Sequence, residues 1–214
     1  MSGRHAGPGE QAQPKDGGAA PVAESAAGSL TNHLLIAMPQ LSDPNFAQTV
    51  ALICEHTDKG ALGIVLNRPL SMALGEVFEQ LALQPNDPGL RERPVLRGGP
   101  VQQDRGFVLH PPATTGAEPW DSTLKVSPTL HVTTSRDILG SMARGEGPAQ
   151  AVVALGYAGW DAGQLEDEIR SNAWLNVPVD EAIIFETPFE QRWHAAARLL
   201  GIDFGRLSNQ AGHA

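Results

Sequence analysis

The chain has 214 residues, 41% hydrophobic and 18% charged, with 15 Lys and Arg against 24 Asp and Glu. That length and balance suffice to bury one substantial core, and the net charge of -9 sets most of the surface against a phosphate backbone, which argues against nucleic-acid partners. A single cysteine, Cys54, excludes an intramolecular disulfide and any multi-cysteine metal site and fits the cytoplasm, while no apolar run reaches the roughly 20 residues of a membrane span.

Residues Met1 to Gly28 are mostly Gly, Ala, Pro, Gln and Ser, with Val22 the one large aliphatic. Such a composition cannot bury enough surface to offset its ordering entropy, so a disordered tail is expected, with no apolar core of a signal peptide. Three short runs rich in Val, Ile and Leu follow, Leu34 to Met38, Thr49 to Glu55 and Ala61 to Asn67, each bounded by turn residues and read as strands. HisThrAspLysGly between the second and third predicts an antiparallel hairpin with a bulged loop. Asn67ArgPro69 ends the third run. Ser71 then caps a helix whose Leu74, Val77, Phe78 and Leu81 share one face.

Gln84 to Arg93 reads as a loop, and Val95 to Arg97 and Phe107 to His110 as strands joined through GlyGlyProValGlnGlnAspArgGly. The paired glycines there mark unusual dihedrals or a close approach by something else. Pro111 to Pro119 is irregular. Leu124 to Val126 and Leu130 to Thr133 read as strands, and Ser135 opens a helix with Asp137 in its first turn, Arg144 in its last and Gly145 beyond it. Ala149 to Gly156 is a buried strand. GlyTyrAlaGlyTrp leads from it to Asp161, which with Gln164 has the form of a capping box on a helix to about Asn172. Trp174 to Val177 and Ala182 to Glu186 close the sheet, and a last helix runs from Glu190 to Leu200.

The elements predict one compact α+β domain over residues 29–207, a mixed and mostly antiparallel sheet of about nine strands with about four helices packed on it, followed by a flexible end, residues 208–214. No Rossmann glycine pattern and no P-loop occur. The segments LICEHTDKGALGIVLNRP, VLRGGPVQQDRGFVLH, TTSRDIL and LGYAGWDAGQLEDEI, in this order and spacing, resemble the AlgH/YqgE family of bacterial proteins. The resemblance implies a compact mixed α/β cytosolic domain and, from one branch of the family, a genetic link to the regulation of exopolysaccharide synthesis. It implies no established enzyme activity.

Cys54 and His56 stand at i and i+2, so an unbroken strand sends both to one face and Glu55 to the other. A cationic imidazole beside a thiol favours thiolate, which makes the pair a candidate for thiol-dependent or redox-sensing chemistry; the competing reading is a buried core cysteine and a histidine starting a turn. Asn67 and Arg68 end a buried strand, where a guanidinium can grip an oxyanion bidentately or pair with an acid. Gly98 and Gly99 lie among Arg91, Arg93, Arg97 and Arg105, an anion-binding turn or a solvated loop. Tyr157, Gly159 and Trp160 stand before a helix start, as ligand contacts or core anchors. His33, His110 and His131 with Asp121 have no metal-ligand spacing. The preferred expectation is a non-enzymatic binding or regulatory protein, without cofactor or metal, whose cleft at strand ends is lined by Asn67, Arg68, Gly98, Gly99 and Trp160. Its partner would be another protein or a small anionic ligand.

Overall fold

The computed structural model describes residues 28–113 and 120–204. The tail expected over residues 1–28, except Gly28, the C-terminal residues 208–214, and most of the irregular Pro111 to Pro119 stretch lie outside the described residues. Within them a curled sheet contains ten strands: β1 His33–Ala37, β2 Val50–Thr57, β3 Gly60–Val65, β4 Pro69–Ala73, β5 Pro94–Arg97, β6 Val101–His110, β7 Thr123–Lys125, β8 His131–Thr133, β9 Val152–Asp161 and β10 Trp174–Pro178. Five α-helices pack on it: α1 Leu74–Gln80, α2 Asp137–Arg144, α3 Gln164–Arg170, α4 Glu181–Phe185 and α5 Phe189–Leu199. The strand order is β10-β1-β2-β3-β9-β6-β8-β7, with β5 attached to β9 and β4 to β5. All pairings are antiparallel except β5 on β9. The mixed, mostly antiparallel α+β domain expected from the sequence is the fold observed.

β9 is the strand on which the others converge. Its first half pairs with β6 on one edge and β5 on the other, and its second half pairs with β3. The chain must therefore step from one edge of β9 to the other between β5 and β6, and it does so at Gly98 and Gly99. A Cβ on Gly98 would lie 2.3 Å from the Gly156 carbonyl oxygen, and one on Gly99 would lie 2.0 Å from the Tyr157 carbonyl carbon. Gly156, with φ of 73°, is the residue crossed. Backbone meets backbone there, and only glycine leaves room.

The curl has one inner and two outer apolar faces. Inside, Leu34, Ile36, Leu52, Leu96, Leu109 and Ala154 meet Ile183 and Ile184 of α4 and Trp193, Ala196 and Ala197 of α5. Outside, α1 and α2 cover Val95, Val108 and Val153, and α3 covers Leu35, Ala51, Ile53 and Val65. Alternating strand residues thus serve different cores, as the pleat requires.

Five elements differ from expectation, the first being β6, which begins at Val101 inside the stretch expected to join Arg97 to Phe107 and so runs ten residues. Ser71 is no cap: Pro69–Ala73 is an edge strand, and α1 begins at Leu74, where the Glu76 carboxylate accepts from the Ala73 N–H at 3.1 Å. Gly156 to Trp160 continues β9 rather than forming a loop, so α3 starts three residues after Asp161, although Gln164 Oε1 does accept from the Asp161 N–H at 2.9 Å. Pro88–Glu92, inside the expected loop, forms a 3-10 turn capped by Asp87. The segment expected as a strand at Ala182 to Glu186 is α4, started by Asp180, whose carboxylate accepts from the Ala182 N–H at 3.0 Å.

Candidate functional site

Cys54 and His56 are on opposite faces. The register of β2 on β3 jumps between Ile53, opposite Gly63, and Glu55, opposite Leu62, so Cys54 is an inserted bulge residue. One extra residue reverses the alternation beyond it. Cys54 packs into the inner core with 1% of its surface exposed, and burial followed by the nearby Glu55 charge pushes its thiol pKa far upward. His56 turns to the outer face over α3, where Nδ1 accepts from the Leu30 N–H at 3.0 Å and Nε2 donates to Glu166 Oε1 at 3.0 Å. With both ring nitrogens engaged and the thiol on the other side of the sheet, the pair forms no activated nucleophile. Cys54 is a core residue.

The expected single cleft divides. Arg68 and Gly99 line a concavity of about 220 Å³ together with Val65, Pro69, Arg97, Pro100 and, from the opposite wall, Pro44 and Asn45. Asn67 and Gly98 do not line it. Asn67 is structural: Oδ1 accepts from the Val50 N–H at 3.0 Å and Nδ2 donates to the Gln48 carbonyl at 2.9 Å, tying the β2 entry to the β3 exit. Gly98 is committed to the crossing, where its N–H donates to Leu155 O at 2.7 Å and its carbonyl accepts from Val65 at 2.8 Å. Trp160, with Tyr157 and Gly159, borders a separate and more open groove of about 480 Å³ along β3 and β9 that also holds Glu55, Lys59 and Asp161. Trp160 is 6% exposed, and its indole Nε1–H donates to Glu168 Oε2 at 2.9 Å.

The 220 Å³ cleft has the distinctive electrostatics. Arg68 and Arg97 face it without a carboxylate among its lining residues, and neither takes part in an ion pair among the described residues. Arg68 is half-buried and donates one guanidinium N–H to the Ala47 carbonyl; its own carbonyl accepts from Arg97 N–H at 2.7 Å, which sets the two arginines side by side. A guanidinium offers five N–H donors, so most of Arg68 is uncommitted. Of the remaining predicted arginines, Arg91 pairs with Glu79, and Arg105 lies over the Phe107 ring at 5.5 Å.

Behind the cleft, the chain just before Asn67 is held by Arg192 of α5, which sequence reasoning missed. Arg192 is 3% exposed, and its guanidinium donates to Leu66 O at 2.6 Å, Ile184 O at 2.7 Å and Thr187 O at 2.9 Å. Burial lowers its pKa to about 10. A charged residue in the apolar stripe of the last helix was the available signal. Asn45 and Pro44 were also missed, because a Ser-Asp-Pro-Asn run reads only as a turn.

The three predicted histidines do not come together, although two of them do. His33 is on β1, four strands away from β6 in the sheet order, with Nδ1 at 3.2 Å from Thr31 O. His110 and His131 are ring neighbours at 6.0 Å, but His110 Nδ1 donates to Pro111 O at 2.7 Å and Nε2 lies 2.8 Å from the Thr133 hydroxyl. No group of three or more metal-ligating side chains occurs among the described residues.

Known proteins share this architecture. A family model described as AlgH-like matches residues 34–205. A UPF0301 protein of Nitrosococcus oceani is 50% identical over 183 residues, 86% of this chain and 96% of that relative. UPF0301 protein MCA2336 2 of Methylococcus capsulatus is 54% identical over 184 residues with the same shares. Among solved structures, the solution structure of the AlgH protein from Pseudomonas aeruginosa superposes with a TM-score of 0.71 at 48% identity, over 89% of this chain and 99% of that one. Protein DIP2367 from Corynebacterium diphtheriae shares the fold at 20% identity, with a TM-score of 0.63 over 80% and 87% of the two chains. With a family model matched over residues 34–205 and relatives at 50% and 54% identity over 86% of its length, the chain belongs to the AlgH-like family.

Proposed function

We propose that this protein is a cytoplasmic, non-enzymatic binding protein of regulatory role that holds a small anionic ligand in the cleft between Arg68, Arg97 and Asn45. The observation that carries the reading is a pair of arginines on one concave wall, without an acid beside them, in a chain of net charge -9. An oxyanion there takes charge-assisted hydrogen bonds from both guanidinium groups, while Pro44, Pro69, Pro100 and Val65 supply apolar walls. Size narrows the ligand class. At roughly 30 Å³ for a water's share of the liquid, 220 Å³ corresponds to about seven waters, below the roughly 300 Å³ where drug-sized pockets begin. A phosphate or small carboxylate fits; a nucleotide or an extended nucleic-acid strand does not. The regulatory role follows the family resemblance.

Isothermal titration with inorganic phosphate, sulfate and small carboxylates at constant ionic strength tests the reading. At least one should bind, and Arg97→Gln should weaken it about tenfold, the worth of one hydrogen bond to a charged group. Binding no stronger than that of chloride overturns it.

A further inference from the structure

The cleft wall that carries Pro44 and Asn45 belongs to a short loop, residues 43–48, in which three consecutive side chains or carbonyls face three different places. Asp43 starts it: the carboxylate accepts from the Asn45 N–H at 2.7 Å, and the carbonyl accepts from Phe46 at 2.9 Å and Ala47 at 2.7 Å. Asn67 ties its far end through the Gln48 carbonyl, and Gln48 itself adopts φ of 54°. Between these anchors Asn45 lines the cleft, Phe46 turns to the outer core, and the Ala47 carbonyl receives Arg68. The Phe46 ring meets Trp174 edge-on at 5.6 Å and stacks on Trp160 at 6.2 Å. Both indole N–H groups donate to the same oxygen of Glu168, at 2.9 and 2.8 Å, and Gln164 holds the other carboxylate oxygen at 2.9 Å. The aromatic cluster is thus fixed from α3 and cannot follow the loop if the loop moves.

We infer that residues 43–48 form a ligand-tightened strap: an anion held by Arg68 and Arg97 against Asn45 holds the strap on the cleft against its loosening, and Phe46, seated on Trp160 and Trp174, sets the ligand's affinity from outside the site. The inference rests on the anion-binding reading of the cleft. Its physical basis is that the cleft is complete only when the strap is down, because one wall belongs to the strap and the other to β3, β4 and β5. A ligand bridging the two walls stabilises the closed position alone, and by reciprocity anything that loosens the strap weakens the ligand by the same factor. Arg68 couples the two, since one N–H holds Ala47 O of the strap while the others remain for the ligand. Phe46 is accordingly a positioning residue.

The test uses the full chain, inorganic phosphate as probe, and two readouts, titration calorimetry and intrinsic tryptophan emission. Wild type should bind phosphate with a change in emission as the ligand suppresses excursions of Phe46 from its seat on Trp160 and Trp174. Phe46→Ala should lose about tenfold in phosphate affinity, within the usual range of coupling between sites, and should lose the emission change; Phe46→Tyr should restore both. Phe46→Leu, with a smaller expected loss, serves if the alanine variant does not fold. Equal phosphate affinity in wild type and Phe46→Ala, or wild-type emission indifferent to bound phosphate, overturns the strap and leaves the cleft standing. Absence of phosphate, sulfate and carboxylate binding by wild type overturns the cleft and the strap with it.

Discussion

One inserted residue decides what Cys54 is. Had β2 run without a bulge, thiol and imidazole would share a face; with Cys54 itself as the extra residue, the sulfur enters the core beside Leu52 and the ring crosses to Glu166. A buried thiol with a pKa pushed upward by burial gives almost no thiolate at neutral pH, so alkylation must wait for the chain to open. Native protein treated with iodoacetamide at pH 8 should therefore react far more slowly than the urea-unfolded chain, at a rate that tracks stability across mutants. A native rate equal to that of the unfolded thiol would contradict the buried placement. Arg192 illustrates the opposite case: a charge in the core with no ion-pair partner among the described residues, tolerated because three backbone carbonyls surround it and the nearby Glu190 charge favours it.

At the scale of elements, the glycine crossing is where the fold leaves least freedom. Gly99→Ala puts a methyl group into the Tyr157 backbone and should cost about 3 kcal/mol or more, whereas Gly106→Ala, with nothing within 4 Å of the added carbon, should stay within about 0.5 kcal/mol. Urea titration of both variants checks the contrast, and a mild Gly99→Ala would mean the crossing can spread apart. The paired glycines were legible as a close approach, though composition could not say that the approaching group was another strand of the same sheet. Periodicity located most strands and the helices from Asp137 and Phe189, because their apolar faces are long enough to show a period. It failed at Ala182 to Glu186, where five residues are too few to separate strand from helix and Asp180 decided the matter by capping. It failed also at Ser71, since a good capping residue two positions inside an edge strand carries the same local signal. Arg68 was readable as a candidate from its place at a strand end. Its partner wall was not, because the contact with Ala47 joins positions 21 apart that no local pattern connects.

For the whole molecule, acid stability follows from the histidine cluster at the β6–β8 end. Burial first, opposed by the Pro111 carbonyl and assisted by the neighbouring His131, lowers the pKa of His110 from its usual 6.5. A folded-state value below the unfolded one means that the unfolded chain binds the extra proton first, so stability falls as pH drops through about 6.5 toward the folded value. The urea midpoint should thus decrease between pH 7.5 and 5.5 with little change in slope, and the decrease should be smaller in His110→Gln. An identical decrease in that variant would assign the effect elsewhere. The arrangement of β9 has a consequence for synthesis as well. It supplies partners to β3, β5 and β6 but follows β6 in the chain by about forty residues. A nascent chain on the ribosome therefore carries three strands with open edges, the kind of surface that invites aggregation, until Val152 to Asp161 has emerged to knit them together.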